Sequence, residues 1–201
     1  MKKIILTAAA VFAISFANAQ DKKDSGFGYA KGDIVLGGNI MTMSKTTEVG
    51  GVSTKISESM IGPEVAYFIS DNLALDLGLT LGSEKDAAGD KRATSNVAVG
   101  ARYYFLNLGE RFKTYTNFGL NFGSDDNGGN GAEKTSTLGL GAGIGMNYFL
   151  TSRVAINFGL GNIISYESSK TGNAKSSDMM INLNEFNNFF STPTFGVSYK
   201  F

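Results

Sequence analysis

Residues 67–79 read YFISDNLALDLGL: an aromatic pair, a small aliphatic step, three turn-forming residues, then an alternation ending on Gly-Leu. Ser70, Asp71 and Asn72 supply the turn chemistry. Beyond them Leu73, Leu75, Leu77, Leu79 and Leu81 fall on one face, and Ala74, Asp76, Gly78, Thr80 and Gly82 on the other. A period of two is that of a strand with one apolar face. The same corner recurs as YFLTSRVAINFGL at 148–160 and, with a longer turn, as YFLNLGERFKTYTNFGL at 104–120. Such repetition points to one boundary condition met by several hairpins.

Carried along the chain, the period-two reading gives eight strands, at 33–44, 57–69, 73–83, 93–105, 112–123, 135–149, 154–166 and 191–201. Each is about ten residues or longer, the length a tilted membrane-crossing strand needs. The sixth sets Leu138, Leu140, Ala142, Ile144, Met146 and Tyr148 against four glycines and Asn147. Connections after the even-numbered strands are short (SDN, LNLGER, LTSR). The others are long and hydrophilic, at 45–56, 84–92, 124–134 and 167–190. Short turns at one end and long loops at the other predict an all-β, up-and-down antiparallel barrel.

Two orientations are open to such a barrel. A soluble lipocalin-type barrel would turn the large apolar face inward around a ligand. A transmembrane β-barrel turns it to lipid and fills its lumen with the small or polar face. The small face decides for the membrane: it carries few charges (Glu64, Asp76, Arg102, Lys113 and Lys200) among Gly, Ala and Asn, a poor water-facing surface but a good filling for a narrow barrel. Aromatics also gather beside the short turns, where a membrane–water girdle belongs. Tyr67, Tyr103, Phe105, Phe112 and Tyr148 are its expected members, with Phe68, Tyr104 and Phe149 beside them.

The opening MKKIILTAAAVFAISFANAQ has a basic start, a short apolar run and Ala17-Asn18-Ala19, which predicts a cleaved signal peptide at 1–19. A short periplasmic segment, 20–32, then leads into the barrel at 33–201. Without Lys2 and Lys3, 16 basic residues face 18 acidic ones, a net of −2 that argues against a nucleic-acid partner. Cys and His are absent, so disulfides, Cys-based catalysis and Ser-His-Asp triads cannot be built, and a non-enzyme without cofactor is expected.

The end of the chain, PTFGVSYKF, alternates Phe195, Val197, Tyr199 and Phe201 on one face. With the eight-strand pattern, this resembles the small outer-membrane β-barrels of Gram-negative bacteria, the OmpA/OmpX-like porin-family barrels. The resemblance implies a location in the cell outer membrane, among its lipids. It also implies that those four residues are the signal read by the barrel-assembly machinery, and that the lumen charges form interior salt bridges. The expected function is that of a monomeric barrel with a largely filled lumen, serving a structural role or contacting an extracellular ligand through four long loops. A small passive channel for ions or hydrophilic solutes is the alternative. Asp125, Asp126, Asn127 and Asn130 in the loop at 124–134 lack EF-hand spacing and read as a solvated loop, so no metal is expected. The apolar cluster Met179, Met180, Ile181, Leu183, Phe186, Phe189 and Phe190 is expected to extend the flanking strands, with folding back over the barrel mouth or contact with a partner as the alternatives.

Overall fold

A computed structural model describes residues 26–49, 52–85, 90–128, 132–181 and 194–201; the expected signal peptide lies outside the described residues. Among the described residues nine strands follow in order: β1 (Ile34–Val49), β2 (Val52–Ser70), β3 (Leu73–Lys85), β4 (Lys91–Leu108), β5 (Phe112–Asp125), β6 (Thr135–Phe149), β7 (Val154–Thr171), β8 (Ala174–Ile181) and β9 (Thr194–Lys200). β1 to β7 pair successively, all antiparallel. β9 closes the wall by pairing with the lower half of β7 (Val154↔Tyr199) and with the start of β1 (Val35↔Lys200). β8 pairs with the upper half of β7, Ile164↔Ile181 to Thr171↔Ala174. β8 and β9 thus share one wall position, and the barrel is eight-stranded.

The strands run farther than expected at the long-loop end. Most of the expected loop at 45–56 is ladder, from Lys45↔Ile56 to Val49↔Val52. The expected loop at 167–190 begins as a hairpin of β7 and β8, which places Met179, Met180 and Ile181 on a strand; Leu183, Phe186, Phe189 and Phe190 lie outside the described residues. The reason is physical. An apolar face marks a strand only while it is in lipid, and above lipid the ladder continues on residues such as Thr46, Thr47 and Ser176, which carry no such stripe. The last expected strand, 191–201, is described from Thr194 onward.

The outer face is the apolar one. Leu75 is 51% exposed, Phe118 56% and Val197 59%, while Ala74 and Ala155 on the inner face are 0% and 2% exposed. Continuous apolar exposure of this kind is tolerated in hydrocarbon, not in water. Among the described residues no helix is long and apolar enough to cross a membrane, so crossing falls to the strands. From Leu73 to Leu81, β3 spans about 27 Å of strand, or roughly 21 Å along the membrane normal at a tilt near 40°.

Two irregularities in the β6–β7 ladder, at Ala142/Gly143 and Ile144/Gly145, bend the wall, and Gly161 opposite them has a φ of 148°. A Cβ on Gly143 would lie 2.6 Å from the Gly161 carbonyl oxygen, a backbone atom held by the bulge. Gly141 on the same face has only ordinary contact, 3.6 Å to the Ile164 oxygen. Gly143→Ala is therefore expected to lower stability by roughly 1–3 kcal/mol, and Gly141→Ala by less than about 0.5 kcal/mol. Urea titration followed by circular dichroism in detergent micelles measures both.

Candidate functional site

The inward faces of the strands build the lumen in layers. The lowest is an aromatic floor. Phe68 at the end of β2 and Phe149 at the end of β6 are 1% and 0% exposed, and Tyr104 of β4 points inward, its ring centroid 5.5 Å from that of Phe68. The chain before β1 completes this floor. Tyr29 stacks on Phe68 (4.2 Å between ring centroids) and lies 4.9 and 5.1 Å from Tyr104 and Phe149. Phe68, Tyr104 and Phe149 are therefore not girdle members. Neighbouring residues of a strand point to opposite faces, so each aromatic pair gives one ring to lipid and one to the lumen. Tyr67, Tyr103, Phe105 and Phe112 are exposed outward, and Tyr148 leans on Phe112 at 4.5 Å.

Residues 26–33 are fixed in the barrel mouth by several hydrogen bonds. Gly32 N–H donates to the Phe68 carbonyl (2.6 Å) and Phe68 N–H to that of Asp33 (2.9 Å). Lys31 N–H donates to Asp71 Oδ1 at 2.8 Å. Lys200 Nζ, from the last strand, donates to the carbonyls of Gly26 and Gly28 at 3.0 and 2.8 Å. Arg111 lies over the Phe27 ring at 4.3 Å, and the Lys113 stem passes close to Gly28. The expected periplasmic segment 20–32 thus enters the barrel over its described part.

Above the floor, Arg102 of β4 donates to Glu64 of β2, and its Nε lies 3.6 Å from Asp76 Oδ2 of β3. The guanidinium sits 5.2 Å from the Tyr115 ring centroid, and all three charged side chains are mostly buried. The five sequence-predicted lumen charges therefore divide. Glu64, Asp76 and Arg102 come together above the aromatic floor, whereas Lys113 and Lys200 lie with residues 26–28 below it. The guanidinium is enclosed by two carboxylates, and desolvating it without them is unfavourable. An amide layer borders these charges: Asn147, 2% exposed, donates to Asn157 Oδ1 (2.5 Å), which also accepts from Ser198 (2.9 Å).

Beyond the triad the lumen widens into a cavity of about 730 Å³. Gly119, Gly139, Gly141 and Gly159 leave this space, and Asn117 and Asn121 project among them. Carboxylates follow upward on the inner face. Glu58 stands directly opposite Glu84, and Glu167 opposite Asp178. These residues were hidden from a reading that assigned their positions to loops or strand ends. Tyr29, Tyr104 and Tyr115 were missed for another reason: strand parity could have placed the last two inside, but no pattern announces that residues 26–33 enter the mouth.

The loop acids are engaged within the protein. Arg92 holds Asp125 bidentately (2.7–2.9 Å), and Asp126 Oδ1 accepts from the N–H groups of Ala93 (2.7 Å) and Gly128 (3.2 Å). Among the described residues no group of three His, Cys, Asp or Glu side chains could hold a metal ion. At the chain end Phe195, Val197 and Tyr199 face outward, and Phe201 N–H donates to the Ile34 carbonyl at 2.9 Å.

A closed antiparallel barrel with an apolar exterior and a filled base is an integral membrane protein of the strand-crossing class. The chain belongs to the outer membrane protein beta-barrel domain family, whose model matches residues 6–201, and it resides in the outer membrane. The outer membrane protein OprG of Pseudomonas aeruginosa has a similar fold (TM-score 0.50, 17% identity, covering 87% of this chain and 98% of that one). Neisserial surface protein A scores 0.46 at 20% identity, over 85% and 98% of the two chains. Ail, the attachment invasion locus protein of Yersinia pestis, scores 0.45 at 14% identity, over 85% and 99%. No curated protein sequence matches the chain significantly.

Arg102→Ala is expected to destabilise the barrel by on the order of 3 kcal/mol, because two buried carboxylates lose their cation. Adding Glu64→Gln and Asp76→Asn to that variant should recover most of the loss in urea titrations. Asp125 lies three residues beyond Phe122, the last apolar outward residue of β5, outside the membrane-spanning part. The Arg92 guanidinium, assisted by the Asn127 N–H, holds its carboxyl below the ordinary value of 3.8. A depressed folded pKa stabilises above the unfolded value, so the pair's contribution is intact there and fades as pH falls through the lower folded value. Carboxyl NMR titration of Asp125, compared with an Arg92→Gln variant, should show the variant titrating at higher pH.

Proposed function

We propose that this protein is a closed, non-catalytic barrel that serves the envelope through its extracellular hairpins and outer surface rather than through transport. One observation carries the reading: the periplasmic mouth is blocked by the Tyr29–Phe68–Tyr104–Phe149 floor, with the Arg102 carboxylate cluster directly above. A solute entering from outside would reach the cavity and meet packed rings. The absence of His and Cys from the whole chain supports the non-catalytic part. The outward alternation of Phe195, Val197 and Tyr199 supports their role as the assembly signal, and the exposed β7–β8 hairpin is available to an extracellular ligand.

A second reading, a narrow path for small hydrophilic solutes, is favoured by the cavity itself and by the carboxylates along it. Planar-bilayer recording separates the two. The closed reading expects near-zero conductance from the intact protein and discrete openings once Tyr29→Ala and Phe149→Ala remove the floor. Steady cation-selective conductance from the intact protein, lost on replacement of Glu64 or Arg102, would establish the channel instead.

A further inference from the structure

The outward faces of four strands leave the apolar belt in one order. On β3 the outward series is Leu81, Ser83, Lys85; on β8, read toward the extracellular end, it is Ile181, Met179, Ser177, Lys175. On β7 it is Ile164, Tyr166, Ser168, Lys170, and on β2 it is Ile61, Ser59, Ser57, Lys55. Lys91 of β4 joins them, directly opposite Lys85, and Lys170 stands directly opposite Lys175. All five lysines are exposed. Among the described residues, no carboxylate lies within ion-pair distance of any of them.

Strand parity separates charge at this height. Glu84 and Arg92 turn inward beside outward Lys85 and Lys91, and Glu167 and Asp178 turn inward on the strands that carry Lys170 and Lys175. Glu58, Glu84, Glu167 and Asp178 thus face the lumen while these five lysines face the surroundings; by the same parity Glu48 of β1 faces outward and Lys45 inward. Two like-charge pairs set directly across a ladder are unfavourable unless an anion lies between them. Four residues beyond Leu81, Lys85 sits roughly 10 Å farther along the membrane normal, which is headgroup depth.

We infer that Lys55, Lys85, Lys91, Lys170 and Lys175 form a basic collar that binds the phosphorylated headgroups of lipids in the outer leaflet around the barrel. Two features identify the occupant. The collar continues the lipid-facing apolar surface without a break, so whatever touches it is attached to the acyl chains below. Its charge is complementary to phosphate, and the serine step between belt and lysine places hydroxyl donors where a headgroup begins.

The test is lipid retention by the folded full-length barrel, purified in a neutral detergent and mixed with diphosphorylated lipid A or with phosphatidylcholine. Bound lipid is counted by native mass spectrometry. Lipid A should be retained in preference to phosphatidylcholine, and the preference should weaken with salt. Replacing Lys85, Lys91, Lys170 and Lys175 by Gln should reduce retention at least about tenfold, and the fourfold Arg variant should keep it. Heat-modifiable gel mobility verifies that each variant is folded, and all four positions lie outside the apolar belt. Equal retention of both lipids, or undiminished lipid A binding by the folded Gln variant, would overturn the assignment. So would displacement of lipid A by a few millimolar inorganic phosphate, which would make the collar a site for free anions.

Discussion

Every backbone N–H and C=O of a chain in hydrocarbon must find its partner within the protein, and much of this structure follows from that requirement. A sheet meets it only by closing. Here closure depends on short ladders at the end of the chain: four residue pairs join β9 to β1, and six join it to β7. The Phe201 N–H to Ile34 carbonyl bond continues the first of these ladders to the last residue. The outward alternation of Phe195, Val197 and Tyr199 therefore lies on the strand that makes the seam. A sequence element that serves as an assembly signal would report, at the same time, that the closing strand has been made.

Closing on eight strands fixes the bore, and the bore fixes what the inner face can hold. Wide side chains fit only where opposing positions are small. Tyr115 reaches across β6 because Gly145 offers no Cβ beneath its ring. The aromatic floor gathers where Ala66, Ala74 and Ala155 leave room among the inward positions. Above it, glycines on β5, β6 and β7 leave the bore open, so the bore narrows to packed rings at one end and is hollow at the other. Residues 26–33 pack among those rings, hydrogen-bonded to Phe68 at the end of β2.

Membership of the wall, strand parity and the lipid-facing surface were legible because lipid writes a period-two pattern with large amplitude. Leu73 to Leu81 could be assigned to one face from residue types alone. The pattern lost contrast where the solvent changed. Above the belt both faces are polar, so Lys45, Glu84 and Lys170 read as loop although the ladder continues through them. At the lower rim, adjacent aromatics such as Tyr67 and Phe68 look alike in composition and differ only by parity. The Glu64–Asp76–Arg102 contacts needed the register: Asp76 pairs with Ala66 and Gly100, which sets its carboxylate within reach of side chains from both neighbouring strands. Register over three strands is not contained in any local stretch of sequence.

Charge follows the same logic from inside to outside. In a soluble domain, acids and bases at one height would mix to make a solvated surface. In this barrel, alternation gives each charged strand position one of two environments, and the chain uses both. Carboxylates at 58, 84, 167 and 178 turn toward an aqueous bore, while lysines at 55, 85, 91, 170 and 175 turn toward the boundary of the bilayer. Such segregation would favour a defined depth. An aromatic girdle at the lower rim would resist movement upward, and the lysines would resist burial from above because a bare ammonium in hydrocarbon is strongly unfavourable. Depth in turn decides which residues meet lipid, and so the pattern that closes the barrel also sets its position in the membrane.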